Sequence, residues 1–178
     1  LQPVHLFLVG GVMLSCSQAS SLDWGASGSL PLLRRETARF FGELKSVPGH
    51  QCLRDRTHFR CPWKKGPITQ IQKSQAMSVL QTLTQQVLTL FESEESRAAW
   101  NETLLLSFCK YLYQQLKDLE ACQNQQVGVQ EVPLTQEPSW LAVREYFGRI
   151  TMYLKQKKHS PCAWEVVRVE VGRALIYS

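Results

Sequence analysis

The sequence predicts an all-α fold built as a five-helix bundle. Two observations carry this: apolar residues return at spacings of three and four in five separate segments, and the connections between them run long, short, long, short. Short links imply antiparallel neighbours, and two long ones suit an up-up-down-down core with two crossover loops.

The first helix is read from Leu30, Leu33, Thr37, Phe40, Phe41 and Leu44, which share one face and stop near Pro48. Ala76, Leu80, Leu83, Val87 and Leu90 mark the second, with Thr69-Gln70-Ile71-Gln72 ahead of it as a hydroxyl and amide able to cap each other's backbone groups. Leu105, Cys109, Leu112, Leu116 and Leu119 repeat the pattern in a third. Glu94 and Glu95 lie upstream, where a helix N-terminus favours negative charge. Trp140, Val143, Phe147, Ile150 and Leu154 define the fourth, ending on Lys155, Lys157 and Lys158, cations that complement the macrodipole. The last segment is ambiguous. Val167, Val169 and Val171 alternate as a strand would, whereas Trp164, Val167, Val171 and Ala174 fit a helix; Ser160-Pro161, an N-cap followed by Pro at the first helical position, decides for helix.

Residues 1–19 read as a secretory signal peptide. The run Leu6, Phe7, Leu8, Val9, Val12, Met13, Leu14 is too short to span a bilayer and is followed by small and polar residues, with a cut expected after Ala19 and Ala26 as the alternative. That leaves residues 20–178 as one extracellular domain. The mature chain has no apolar run long enough for membrane insertion. All the formal charge, +5, belongs to it, yet Lys and Arg alternate with Glu and Asp and form no block of five, so a solvated basic surface is expected rather than a nucleic-acid partner. An enzyme is excluded on inventory, for there is no Gly-rich phosphate loop, nucleophile elbow or His-Glu-x-x-His pair, and no cofactor is implied.

Of six Cys, Cys16 departs with the leader, leaving Cys52, Cys61, Cys109, Cys122 and Cys162. Secretion favours disulfides, and an odd number leaves one thiol unpaired or available to link a dimer of an otherwise monomeric protein. Cys109 and Cys122 cannot pair with each other, because their spacing on one helix is about 20 Å, well past the roughly 7 Å limit between Cα atoms. A zinc site at His50, Cys52, His58 and Cys61 is the rival reading; the spacing matches no common motif, and no metal is expected. Asn101-Glu102-Thr103 is a glycosylation acceptor, so Asn101 should be exposed.

Three stretches resemble the type I interferon family. Cys52-Leu53-Arg54-Asp55-Arg56-Thr57-His58-Phe59 is similar to its C-L-[KR]-D-R-x-x-F first long loop, and Tyr113 to Cys122 to the end of its third helix. Ala142 to Thr151, leading into Ser160-Pro161-Cys162-Ala163-Trp164-Glu165-Val166-Val167-Arg168, resembles its fourth and fifth helices. The likeness runs over nearly the whole mature chain, with departures pointing to a divergent, delta-like or omega-like member. It implies a helical cytokine bundle that joins the two chains of the type I interferon receptor and drives antiviral, antiproliferative and immunomodulatory JAK-STAT signalling.

The resemblance also assigns residues. It pairs Cys52 with Cys162; the family's other bridge has no N-terminal Cys here, and Cys61 is left to meet Cys109 or Cys122. The high-affinity receptor face maps to Leu53, Arg56, Arg168, Val169 and Arg173, and the weaker face to Gln81, Thr82, Gln85, Tyr113 and Arg144. Gly172 stands where family members often carry a larger apolar side chain.

Overall fold

The computed structural model describes residues 29–45, 47–62, 73–125 and 139–176. The expected leader, both of its candidate cuts and the Thr69–Gln72 cap lie outside the described residues. In chain order the helices are α1 (Ser29–Glu43), α2 (Lys73–Phe91), α3 (Glu94–Ala99), α4 (Glu102–Gln125), α5 (Ser139–Gln156) and α6 (Pro161–Ile176), with a 3-10 segment at Gly49–Asp55 between the first two.

All five helices expected from periodicity are present, and among the described side chains the assigned faces are buried, with Leu116 and Trp140 half-buried; the side chains of Leu30, Leu33 and Ala76 lie outside the described residues. Thr37, Phe40, Phe41 and Leu44 of α1 are buried, as are Leu80, Leu83 and Val87 of α2 and Val143, Phe147, Ile150 and Leu154 of α5. The ambiguous last segment is helical, burying Trp164, Val167, Val171 and Ala174. Val169 stays half-buried on its flank. Its start is capped as the Ser-Pro pair suggested, with the Ala163 N–H donating to Ser160 Oγ at 3.2 Å.

Packing follows the connections. α2 lies against both α4 and α5, while α1 lies against α6 and α4. Aromatic rings join these pairs at the centre. Phe41 meets Phe91 at 5.2 Å and Phe108 at 5.5 Å, Trp100 stacks on Phe91 at 5.1 Å, and its edge reaches Trp164 at 4.9 Å.

One boundary differs from the sequence reading. Glu94 and Glu95 do not begin the third long helix; they open the separate α3, capped by Ser93, whose Oγ accepts from the Ser96 N–H at 3.3 Å. Trp100 explains the break. Its backbone is extended (φ −132°, ψ 166°) and its ring is drawn into the core, so the chain must restart at Glu102 with Asn101 as a new cap, Oδ1 accepting from the Leu104 N–H at 3.1 Å.

Candidate functional site

The segment from Gly49 to Phe59 has few apolar side chains with which to hold itself, and the fold fastens it by other means. Cys52 is bonded to Cys162, with Cα atoms 5.1 Å apart and 110 residues between them in the sequence. Arg149 of α5 donates from Nε to the Phe59 carbonyl at 2.8 Å and from Nη2 to the Arg60 carbonyl at 3.0 Å. Between these two carbonyls Arg60 adopts the left-handed backbone region (φ 57°), an uncommon choice for a non-glycine residue. The Tyr153 hydroxyl donates to the Asp55 carbonyl, and Lys157 pairs with the Asp55 carboxylate at 3.2 Å. Burial, with Asp55 nearby, pushes the Tyr153 phenol up to about 12, so it remains a neutral donor at any physiological pH.

That fastening sets apart what faces solvent. Leu53 is 55% exposed, so it does not cover the core. Arg56 is exposed and its guanidinium makes no hydrogen bond to a described residue; only its backbone N–H is engaged, with the Leu53 carbonyl at 3.5 Å. Arg173, in the last turn of α6, is exposed as well, and Val169 is half-buried.

Arg168 behaves differently. Its Nε and Nη2 grip the buried Glu165 at 2.8 and 2.6 Å while Nη1 donates to the Phe41 carbonyl at 2.7 Å, leaving the side chain only 11% exposed. Geometry therefore gives Arg168 an inward task, fastening the end of α1 to α6, and separates it from the outward Arg56 and Arg173.

A second face is spread over α2, α4 and α5. Gln81 and Thr82 are half-buried, while Gln85, Tyr113 and Arg144 are exposed. Gln81 and Gln85 of α2 and Glu92 just past its end follow one line by their spacing, and the Tyr113 hydroxyl reaches Glu92 Oε1 at 2.8 Å, which places Tyr113 of α4 at the end of that line. The hydrogen bond to Glu92 raises the Tyr113 phenol above its ordinary value. Arg144 lies over the Trp140 ring at 5.1 Å on α5, the other neighbour of α2.

Comparison with known proteins gives this geometry its context. The interferon alpha/beta domain family matches residues 28–178. The chain belongs to the type I interferon family. Human interferon alpha-14 is 47% identical over 167 residues, spanning 94% of this chain and 88% of that protein, and human interferon alpha-10 is 46% identical over 171 residues, spanning 96% and 90%. Zebrafish interferon 2 shares the fold with a TM-score of 0.66 at 20% identity, covering 81% of this chain and 93% of that one. The chain is thus a cytokine of the interferon family and not an enzyme.

Within that family frame the cysteines become clearer. Cys52 is committed to its disulfide, which removes a thiolate from the rival zinc reading. Of the two partners expected for Cys61, Cys109 is not one: its thiol is free and buried between α2 and α4, 3.7 Å from the Phe91 carbonyl. Burial, then Glu92, pushes it up to about 11. The Cys122 side chain lies outside the described residues.

Gly172 is buried, and a Cβ added there would meet the Phe41 ring at 3.6 Å. A larger residue at this interferon's position 172 would begin by packing on α1. Asn101 is exposed, as a glycan acceptor must be. Its capping role uses Oδ1, leaving Nδ2 as the atom to which a sugar would attach.

Sequence reasoning missed the residues that do the fastening. Arg149, Asp55, Tyr153 and Lys157 act on partners 89 or more residues away, and no local period marks such pairs.

Proposed function

We infer that the mature chain, residues 20–178 after removal of a 1–19 leader, is a secreted cytokine that joins the two chains of the type I interferon receptor. Engagement triggers JAK-STAT signalling with antiviral, antiproliferative and immunomodulatory outcome. The observation that carries this reading is the outward presentation of Leu53 and Arg56. An exposed apolar side chain and a guanidinium with no hydrogen bond to a described residue stand on a loop that a disulfide and Arg149 hold, which lowers the entropy lost on binding. Val169 and Arg173 extend that high-affinity face onto α6, and Arg168 supports it from behind. Gln81, Thr82, Gln85, Tyr113 and Arg144 form the weaker face for the second receptor chain, and Asn101 carries a glycan away from both. The protein acts as a monomer, and Cys109, whose thiol is buried, is not the residue through which a Cys-linked dimer would form.

Arg56→Ala tests it. Surface plasmon resonance against the high-affinity receptor chain should show binding weaker by about 2 kcal/mol, roughly thirtyfold, with unchanged thermal unfolding. A folded variant that binds as tightly as the unaltered protein would remove Arg56 from the interface. A reporter assay with and without receptor-blocking antibody decides the signalling part.

A further inference from the structure

Although Lys and Arg alternate with acidic residues along the chain, the fold sorts them. Residues 45–62 and 149–176 together hold ten Lys and Arg against three Asp and Glu, a local excess of seven that exceeds the +5 of the whole chain. The tethers on the first loop bring these two stretches together: the Cys52–Cys162 bridge, the Arg149 clamp and the Asp55–Lys157 pair.

Two of the three acids are taken up inside the fold, and the third, Asp55, offsets Lys157 alone. Asp55 is engaged by Lys157, Glu165 is 3% exposed and held by Arg168, and Glu170 accepts from the Tyr146 hydroxyl at 2.7 Å. Arg54, Arg56, Arg60, Lys155, Lys158 and Arg173 are exposed, and His50 and His58 stand among them. Clustered like charges repel, so this arrangement favours a partner that supplies many anions at once.

We propose that this end of the molecule, centred on Arg54, Arg56, Lys157 and Lys158, binds a sulfated glycosaminoglycan. The choice of a sulfated polysaccharide over other polyanions rests on the secreted reading above, since that is the polyanion of the extracellular matrix and cell surface. Guanidinium groups suit it, because their fork matches two oxygens of one sulfate. Arg54 and Arg56 flank Asp55, whose carboxylate is 3.2 Å from Lys157 Nζ, and Lys158 is the next residue. The surface shares Arg56 with the receptor face, so the polysaccharide and the high-affinity receptor chain compete.

Two double variants of the full mature chain test this at matched net charge: Arg54→Ala with Lys158→Ala, and Lys110→Ala with Lys117→Ala on the exposed side of α4. None of the four is assigned to a receptor face. The probes are heparin, fully desulfated heparin and an oligothymidylate, at physiological salt. Heparin should bind most tightly, the first variant should lose about tenfold, and the second should be unchanged. Equal losses in both variants, or heparin bound no more tightly than the oligothymidylate, would overturn the proposal.

If the first variant misfolds, lysine acetylation of the unaltered protein decides: heparin should protect Lys157 and Lys158 but not Lys110 and Lys117, and uniform protection or none counts against the site. Receptor binding by the same variants is read separately, so failure here leaves the receptor assignment standing, and the reverse.

Discussion

The two candidate faces are held in opposite ways. The loop carrying Leu53 and Arg56 is fastened by a covalent bond, an Arg clamped on two carbonyls and an ion pair, whereas α2 and α4, which carry Gln85 and Tyr113, are joined through apolar stripes around Leu83, Val87, Phe108 and Leu112. A helix satisfies its own backbone and needs only a partner for its apolar face; an irregular segment must find outside partners for its carbonyls. The difference predicts where removing single groups should hurt.

The largest effect should follow from opening the Cys52–Cys162 bridge. With 110 residues between the cysteines, Cys52→Ser with Cys162→Ser should lower unfolding free energy by about 4 kcal/mol in a denaturant titration. The comparison is sharpened by where the damage appears. Amide exchange should rise first across residues 49–60, while the α2–α4 contact stays protected. Uniform loss of protection would show that the loop and the bundle unfold as one unit and that the contrast drawn above is false.

Arg168→Ala should come next. It strips both donors from a buried carboxylate and releases the Phe41 carbonyl, which should cost about 3 kcal/mol of stability, because Glu165 is left charged and unpaired away from water. Replacing the pair together, Arg168→Met with Glu165→Leu, should recover much of the loss. If Arg168 instead contacts receptor directly, the single variant will keep its thermal midpoint and lose affinity.

Why the resemblance puts Arg168 on a receptor face while the structure turns it inward is a question of what sequence can carry. Helix faces are legible because a period of 3.6 repeats locally, so spacing alone places Phe40, Leu83, Val143 and Val167 in the core, where they lie. The break at Trp100 was not legible, since one aromatic side chain reaching Phe91 and Trp164 decides it. Nor were the loop tethers: Arg149 finds Phe59 across 90 residues, and its spacing on α5 matches any solvated Arg. Leu53 and Arg56 entered only through resemblance, and solvent exposure is what the structure adds to them.

The smallest effect should be at Cys109. Its thiol faces the Phe91 carbonyl in a packed interface, so Cys109→Ala should cost only about 1 kcal/mol, the scale of a weak donor and a small volume. Reactivity is the finer probe. With a thiol pushed up to about 11, the thiolate fraction at pH 7 is about one part in ten thousand, so alkylation read at the Cys109 peptide should be negligible in the native protein. Because its folded value lies above the ordinary 9, the neutral thiol's contribution to stability is complete below pH 9 and fades as pH rises from 9 to 11. Native alkylation must therefore pass through opening of the α2–α4 contact. Opening the Cys52–Cys162 bridge should accelerate it only as far as global unfolding rises, and faster labelling at unchanged global stability would mean that the loop tether also holds the far side of the bundle closed.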